Sequence, residues 1–336
     1  MKKLVIILLA LVVDTGSSFA QNLIAVQNGG SPTFYEELPA AIEAAKSSDT
    51  IYIPGGTWNP SSYNHFIINK SLHIVGTGHN PASSQAGGIC KLNGDFLIAE
   101  GSGNGSLTGV LVTGYISFSG YATTKVSNYS LTRCRINGTV TLSYNFTRFV
   151  ISENVFDDRV YGGGATDNSF SNNIFAGWVG DFSNNNKFKN NIMMSTTSSS
   201  ANNFSLCFFD NNIIFAGAKL GAANCVFNNN LFVDNVSFPL GTNPGYNNIV
   251  NQTQSSIFVT QSSNTFNYTQ DYHLQATCPG KNAGKDGTDI GIYGGAFPWK
   301  EGSIPFNPHF ETIQINSKTD ANGDLNVNVK VAAQER

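Results

Sequence analysis

The chain has 336 residues, of which 40% are hydrophobic, and this length allows a sizeable core in one or two domains. Only 12% of the residues are charged, and the formal net charge is -3 at pH 7. Such a weak, slightly negative field does not attract nucleic acid or an anionic membrane, so we expect neither as a partner.

The first twenty residues have the pattern of a secretory signal peptide. Lys2 and Lys3 precede an apolar run from Leu4 to Val13, and small polar residues lead to Ala20. The run is short for a membrane span, and no later segment approaches the roughly eighteen apolar residues that a transmembrane helix needs. We therefore expect residues 1–20 to be removed near Ala20. The mature chain would be secreted to the periplasm, the cell surface or the medium, without membrane insertion.

One short phrase recurs through the middle of the chain, for example as FSNNIF, FKNNIM, FDNNII and FNNNLF. Helical repeats are longer, and the apolar residues here alternate within short runs, so each copy corresponds to one coil of short strands. The sequence predicts an all-β solenoid, a parallel β-helix, over residues 21–299. Successive copies are 18 to 21 positions apart, and their first apolar residues are Leu131, Ile151, Phe170, Phe188, Phe209 and Phe227.

The second Asn of each copy occupies the same place in every coil. Because neighbouring strands lie about 4.8 Å apart, the amide of one Asn can donate to the Asn of the next coil. Asn also tolerates a left-handed backbone at a bend. The pattern predicts a buried asparagine ladder along one corner, formed by Asn154, Asn173, Asn191, Asn212 and Asn230.

Residues at the same position in successive coils form a column along the solenoid, and several other columns contain notable side chains. Cys207 and Cys225 each precede a copy of the phrase by two positions, so they should lie in adjacent coils, either as a disulfide or as buried thiols. The chain has five cysteines, so at least one lacks an intramolecular partner. Cys134 replaces the ladder Asn in its coil, where we expect a buried free thiol. Arg133 and Glu153 share a further column and predict an exposed ion pair between coils.

The pattern changes after Pro298, where two alternating apolar segments are joined by a loop that contains Asn-Gly-Asp. We expect residues 300–336 to form a small C-terminal β-strand cap. Its apolar face would cover the open end of the solenoid, an edge otherwise prone to pair with another chain. That face would consist of Ile313, Ile315, Leu325, Val327, Val329 and Val331.

Segments near both ends of the predicted solenoid carry a family resemblance. LPAAIEAAKSSDTIYIPGGTW supplies a short amphipathic helix over Ala40 to Ala45 and a first strand over Thr50 to Ile53, and DYHLQATCPGKNAGKDGTDIGIYGG stands near the end. These segments resemble the N-terminal cap and the last coil of the pectate-lyase-like right-handed β-helix superfamily, the latter as in secreted bacterial members. The resemblance implies a right-handed, single-stranded parallel β-helix. It implies no single activity, because the superfamily contains lyases, hydrolases, esterases and noncatalytic binding proteins.

The outward neighbours of Val140, Val160 and Val179 form two columns that contain aromatic and basic side chains. Exposed rings bind the apolar faces of sugars, and Arg can hold a carboxylate through two hydrogen bonds. The family resemblance implies the same face, since polysaccharide-acting members use this sheet as their substrate groove. The alternative is that the rings only pack against neighbouring strands. The predicted polysaccharide-binding residues are Tyr115, Arg159, Tyr161, Trp178 and Lys219.

Catalytic signatures are few. The charged cluster Asp157, Asp158 and Arg159 supplies the catalytic candidates, as acid and base or as a Ca²⁺ site of a lyase. The alternative is a turn role for Asp158, which aligns with Gly138 and Gly177. The motifs of polygalacturonase-like hydrolases and pectin esterases are absent, and the groove positions lack the carboxylates of calcium-dependent lyases. We predict no metal and no cofactor, with Ca²⁺ only in the case of a lyase.

Two functions fit these residues. We favour a secreted, noncatalytic solenoid that binds a polysaccharide, acidic in character, along one exposed parallel sheet. The alternative is a polysaccharide lyase-like enzyme, or more broadly a glycoside hydrolase, that acts on a uronate-containing glycan. Neither the sugar nor the oligomeric state follows from the sequence.

Overall fold

The computed structural model of the chain describes residues 23–61, 64–84, 87–118, 125–143, 146–196, 204–216 and 220–333. These residues form an all-β parallel solenoid of about nine turns, which confirms the predicted fold class. The predicted signal peptide lies outside the described residues. Across the described ranges, no helix is both long and apolar enough to cross a membrane.

Three sheets form the walls of the solenoid, and we number them in the order in which the chain visits them within a coil. The strands of sheet 1 are, in spatial order, Thr33–Tyr35, Ile24–Gln27, Thr50–Tyr52, His73–Val75, Ser106–Thr108, Ser130–Thr132, Val150–Ser152, Ser169–Ser171, Lys187–Lys189, Phe208–Asp210, Val226–Asn228 and Gly245–Tyr246. Those of sheet 2 are Gly56–Trp58, Cys90–Leu92, Leu111–Val112, Arg135–Ile136, Val155–Phe156, Ile174–Phe175, Ile192–Met193, Ile213–Ile214 and Leu231–Phe232. Those of sheet 3 are His65–Ile68, Asp95–Ile98, Ile116–Ser117, Val140–Thr141, Val160–Tyr161 and Val179–Gly180.

The remaining elements begin, end or link the coils. Helix α1, Leu38–Ala44, buries Leu38, Ala41 and Ile42, which share one helical face, and it closely matches the predicted helix. Strand Ile24–Gln27 pairs antiparallel with both of its neighbours, whereas the other pairs in the three sheets are parallel. Short strands also precede sheet 1 in several coils: Val126–Ser127, Phe146–Thr147, Phe182–Ser183, Phe204–Ser205 and Ala222–Ala223. Among the described residues, 3₁₀ turns lie at Gln254–Ser256 and Glu301–Ser303.

The phenylalanines that open the repeated phrase stack along the core. Phe170 and Phe188 have ring centroids 4.6 Å apart, Phe188 and Phe209 5.0 Å, and Phe209 and Phe227 4.6 Å, with planes within 10° of parallel. All four side chains are fully buried. The repeat therefore persists in the sequence because each inward position must match the side chain of the coil above and below it.

The asparagine ladder is confirmed. Each Nδ2 donates to Oδ1 of the Asn in the next coil at 2.9 to 3.0 Å along the series Asn154, Asn173, Asn191, Asn212 and Asn230. The same Nδ2 also donates to a main-chain carbonyl of the previous coil, such as Phe170 O for Asn191. All five side chains are fully buried, and Asn248 extends the series. The ladder thus satisfies amide groups and turn carbonyls that would otherwise be buried without partners.

The left-handed backbone at this corner belongs to the residue before each ladder Asn, which corrects the sequence-based assignment. Positive φ angles of 51 to 57° occur in this corner column at Arg133, Glu153, Asn172, Asn190, Asn211 and Asn229. The ladder residues themselves do not have positive φ. The phrase needs two asparagines because one turns the chain and the next hydrogen-bonds between coils.

A second, shorter ladder occupies the corner before sheet 1 and was not predicted. Asn168 Nδ2 donates to Asn186 Oδ1 at 3.0 Å. Farther along the same corner, Cys207 N donates to the sulfur of Cys225, and Cys225 N donates to Asn243 Oδ1. The two cysteines therefore take ladder positions as buried, free thiols, without the disulfide considered above. Cys90, Cys134 and Cys278 are also free and buried, as predicted for Cys134.

After the last coil the chain turns back over the outside of sheet 2. This covering segment, residues 254–306, packs Ile257, Leu274 and Ile290 into a buried cluster with Ile174 and Ile192 of sheet 2. Side chains of the corner column also form hydrogen bonds to the covering segment. Asn172 Nδ2, for example, donates to main-chain oxygens at positions 292 and 294 of the covering segment, at 2.8 and 3.0 Å. The outer face of sheet 2 is therefore buried in the coils that contain Val155, Ile174 and Ile192.

The covering segment also explains why the predicted exposed ion pair of Arg133 and Glu153 is wrong. The Arg133 side chain is 0% exposed and that of Glu153 is 7% exposed, with Arg133 Nε 3.0 Å from Glu153 Oε2. Arg133 also donates to the carbonyl of Ile304 and lies 3.6 Å from the ring centroid of Phe306. The main-chain N of Lys300 donates to Glu153 at 3.1 Å. An outward-facing pair is thus enclosed by a distant part of the chain.

The two strands predicted at the C-terminus form an antiparallel hairpin, His309–Ile315 with Val327–Ala332. Ile313 lies opposite Val329, and Ile315 lies opposite Val327. The predicted apolar side chains of the hairpin are 39 to 61% exposed. The packing of this face on the end of the solenoid is therefore not observed.

Candidate functional site

Sheet 3 keeps side chains on its outer face in contact with solvent, whereas the covering segment hides sheet 2. Tyr115 and Tyr161 of sheet 3 are 41% and 40% exposed. Ile174 and Ile192, which point outward from sheet 2, are fully buried. We call the outer surface of sheet 3 the sheet 3 face and consider it the candidate functional site.

The register of sheet 3 places the predicted residues in the two expected columns. Ile116 pairs with Val140, Val140 with Val160, and Val160 with Val179, and all four are buried. Because side chains alternate along a strand, the residues on either side of these positions face outward. One column contains Asp95, Tyr115, Thr139, Arg159 and Trp178, and the other contains Leu97, Ser117, Thr141, Tyr161 and Gly180.

Tyr161 and Trp178 form an aromatic pair on this face. Their ring centroids are 6.2 Å apart and their planes differ by 25°, which is a stacked arrangement. Tyr161 is exposed, as predicted, but Trp178, also predicted as an exposed ring, is only partly exposed. Trp178 lines a small surface hollow together with Met193 and Ala216, and its Nε1 is buried without a hydrogen-bond partner among the described residues. Tyr161 is therefore the accessible member of the pair, and Trp178 supports it.

Two carboxylates lie beside the exposed tyrosines. The main-chain N of Tyr115 donates to Asp95 Oδ1 at 3.0 Å. Partial burial, followed by the negative charge of Asp95, raises the pKa of the Tyr115 hydroxyl above its usual value. A hydrogen bond to Asp181 and the charge of that carboxylate raise the pKa of Tyr161. Both phenols therefore remain protonated at neutral pH and can donate a hydrogen bond.

Arg159 is exposed and lies in the same column as Tyr115 and Trp178, between Thr139 and Trp178. Lys219, the fifth predicted binding residue, lies outside the described residues. The structure thus places Tyr115, Arg159, Tyr161 and Trp178 on one sheet.

The catalytic candidates Asp157 and Asp158 have different partners. Asp157 Oδ2 accepts from Arg135 Nε of sheet 2 at 2.7 Å, and Arg135 lies beside Tyr268 of the covering segment, 4.9 Å from its ring centroid. Asp158 Oδ2 accepts from the hydroxyl of Thr139 at 2.8 Å, on the side of sheet 3. Asp158 also lies in the bend between the strands of sheets 2 and 3, where the alternative turn role placed it. The catalytic assignment of Asp157, Asp158 and Arg159 stays a prediction.

In the part of the chain that the structure describes, no three His, Cys, Asp or Glu side chains are grouped closely enough to hold a metal ion. The sheet 3 face therefore offers rings, hydroxyls, one guanidinium and single carboxylates. These groups can bind a ligand through apolar contact and hydrogen bonds.

Asp95 and Asp181 also belong to this face and were not predicted from the sequence. Asp95 could have been found by extending the Tyr115 column back by one coil, because the two positions are in register. Asp181 directly follows Gly180 and has a φ of 61°, so its place depends on a local left-handed bend that the strand pattern does not indicate.

Comparisons of the chain with protein-family models, with curated proteins and with solved structures found no match. Membership of the pectate-lyase-like superfamily therefore stays a prediction.

Proposed function

We propose that this protein is a noncatalytic solenoid that binds a polysaccharide along the sheet 3 face. The observation that carries the proposal is the pair of tyrosines, Tyr115 and Tyr161, exposed by 41% and 40% on one sheet. The covered state of sheet 2 supports the choice of this face. Tyrosine offers both an apolar ring for a sugar and a hydroxyl for hydrogen bonding, at little cost in side-chain entropy.

Trp178 and Arg159 extend the proposed site. Trp178 stacks with Tyr161, with the two ring centroids 6.2 Å apart. Arg159 is exposed in the neighbouring column and supplies donors for sugar oxygens. The proposal includes a right-handed coil, export after cleavage near Ala20, and a polysaccharide outside the inner membrane as the partner.

A binding experiment with matched variants tests the proposal. A glycan array identifies a ligand, and titration then compares wild type with Tyr161→Ala and with Tyr246→Ala. Tyr246 is a suitable control because it is a tyrosine, 63% exposed, in the last strand of sheet 1. We expect Tyr161→Ala to weaken binding by about tenfold or more, and Tyr246→Ala to leave it unchanged. Equal affinities of wild type and Tyr161→Ala would reject the site.

The product of the reaction distinguishes a lyase from a noncatalytic binding protein. A lyase leaves an unsaturated uronate that absorbs ultraviolet light, so each ligand found on the array is incubated with the protein, with and without Ca²⁺. We expect binding without product, because Asp157 is engaged by Arg135 and Asp158 by Thr139. Product that disappears in Asp157→Asn or Arg159→Ala would establish the enzyme instead.

A further inference from the structure

The described charges of the sheet 3 face are mainly negative. Asp95 lies beside Tyr115, Asp181 hydrogen-bonds Tyr161, and Asp158 is exposed in the bend before Arg159. Among the described residues of this face, one carboxylate thus lies beside each exposed ring, a third precedes Arg159, and Arg159 is the guanidinium.

This arrangement opposes the acidic ligand expected from the sequence. A uronate or a sulfated sugar on either tyrosine would place its anion near Asp95 or Asp181, and like charges in proximity are unfavourable. Within the described part of this face, Arg159 is the cation that would have to offset the repulsion at both rings. A neutral sugar meets no such penalty.

The same carboxylates are well suited to sugar hydroxyls. An ionised carboxylate accepts up to about four hydrogen bonds, and such bonds are roughly twice as strong as those between neutral groups. Asp95 Oδ1 is bonded to the main-chain N of Tyr115, and Asp158 Oδ2 is bonded to Thr139. Asp95 also accepts a hydrogen bond from the Tyr115 hydroxyl, but one or two bonds still leave each carboxylate with capacity for a ligand hydroxyl.

The spacing of the face fits a chain that runs along the solenoid. Successive coils are about 4.8 Å apart, which is close to the length of one pyranose unit. Tyr115 and Arg159 stand two coils apart in one column, and Tyr161 lies in the second column beside Arg159. A polymer along the axis would therefore present one sugar to each coil and reach both rings.

We propose that the ligand of this face is a neutral polysaccharide that lies parallel to the solenoid axis, with Tyr115 and Tyr161 against sugar faces. Asp95, Asp158 and Asp181 accept hydrogen bonds from its hydroxyls. This inference rests on the proposed function and narrows its ligand to a class without carboxylates or sulfates.

The test compares neutral and acidic polymers. Affinity electrophoresis is run in gels that contain β-glucan, xylan or galactomannan, and in gels that contain alginate or polygalacturonate, at low and high salt. We expect retardation by at least one neutral polymer, with little dependence on salt because no net charge is neutralised. Retardation by acidic polymers alone would overturn the inference and leave the proposed function standing. Absence of binding to every polymer would overturn both.

Removal of single carboxylates gives a second, independent readout. Asp181→Asn keeps the side-chain shape and tolerates the left-handed backbone at this position, so it should fold. Asp210→Asn, on the outer face of sheet 1, is the control. For the neutral ligand we expect Asp181→Asn to weaken binding by about tenfold, since a charge-assisted hydrogen bond becomes a weaker one. Stronger binding by Asp181→Asn, with a matching gain for uronate polymers, would show an acidic ligand. Unchanged retardation by the neutral polymer in both variants would overturn the assigned role of the carboxylate.

Discussion

The same coils form the outer faces of sheets 2 and 3, but the covering segment packs on sheet 2, whereas sheet 3 stays in contact with solvent. Sheet 2 presents Val155, Ile174 and Ile192 outward, and the covering segment buries them completely. Sheet 3 presents Tyr115 and Tyr161 outward, and both remain about 40% exposed. At these positions the side chains differ in kind: they are aliphatic where the covering segment packs on them, and aromatic with a polar end where they stay in contact with solvent.

The comparison shows how to separate packing from function in a solenoid. An aliphatic outward column needs a partner within the protein, because exposed aliphatic surface is costly. An exposed tyrosine can interact with water through its hydroxyl and still offer a ring to a ligand. Changes on the covered side should therefore alter stability, and changes on the open side should alter binding.

The largest loss of stability is expected from Arg133→Met on the covered side. The substitution leaves Glu153 buried without its charged partner, which costs about 3 to 5 kcal/mol. Arg148→Met is a matched control because Arg148 also has positive φ, 59° against 54° for Arg133, but is exposed. Chemical unfolding followed by circular dichroism measures the difference. Equal midpoints for the two variants would show that the covering segment does not enclose the pair.

Much of the fold follows from the sequence because the coils repeat. Phe170, Phe188 and Phe209 reveal the period, and their register fixes the ladder and the two columns of sheet 3. The covering segment has no repeat, and its contacts join residues far apart in the chain, such as Asn172 and Ile292, 120 positions apart. Alternation in a strand distinguishes inward from outward side chains, but it does not show which outward side chains are later covered. For this reason the burial of Arg133 and Glu153 was predicted wrongly.

The candidate site could likewise be predicted where it follows from the repeat, but not where it depends on contacts between particular side chains. The columns of Tyr115 and Tyr161 follow from the register of Val140 and Val160. The partial burial of Trp178 does not, because it depends on the stacking of two rings and on neighbours in the next coil.

An intermediate loss of stability is expected from a substitution in the asparagine ladder, at the corner beside sheet 2. Asn191→Leu removes the acceptor for the main-chain N and Nδ2 of Asn173, at 2.9 and 3.0 Å, and the donor to Phe170 O. Buried groups without partners should lower the free energy of unfolding by about 1 to 3 kcal/mol. Asn137→Leu, at an exposed bend between sheets 2 and 3, should change it by less than about 0.5 kcal/mol. A stable Asn191→Leu protein would show that the ladder contributes little.

A smaller, pH-dependent loss of stability is expected where the covering segment contacts an early coil. His79 is buried against Tyr268, with Nδ1 2.9 Å from the phenol oxygen. Burial, and then the charge of Arg135, lower the pKa of His79 from 6.5 to about 3. Because the pKa is lower in the folded state, the stabilisation is present above about pH 6.5 and is lost as the pH falls towards 3. The loss between pH 7.5 and 5.5 should be about 1.4 kcal/mol.

The variant His79→Gln isolates this effect. Without a titrating imidazole, the variant should lose less stability than wild type over the same pH interval. Thermal unfolding at several pH values measures both proteins. Parallel pH profiles would mean that His79 does not control the acid sensitivity of this contact.

The smallest change in stability per residue is expected from the double variant Tyr115→Ala and Tyr161→Ala on the open side. Both rings are about 40% exposed, so each loses less burial than a fully buried ring would, and the free energy of unfolding should fall by about 1 kcal/mol or less per ring. Binding of the polysaccharide should nevertheless be lost. If the double variant instead unfolded with a loss of several kcal/mol, the rings would serve mainly as packing partners between strands, and the contrast between the two faces would fail. A stable variant that no longer binds would establish that sheet 3 carries its tyrosines for a ligand.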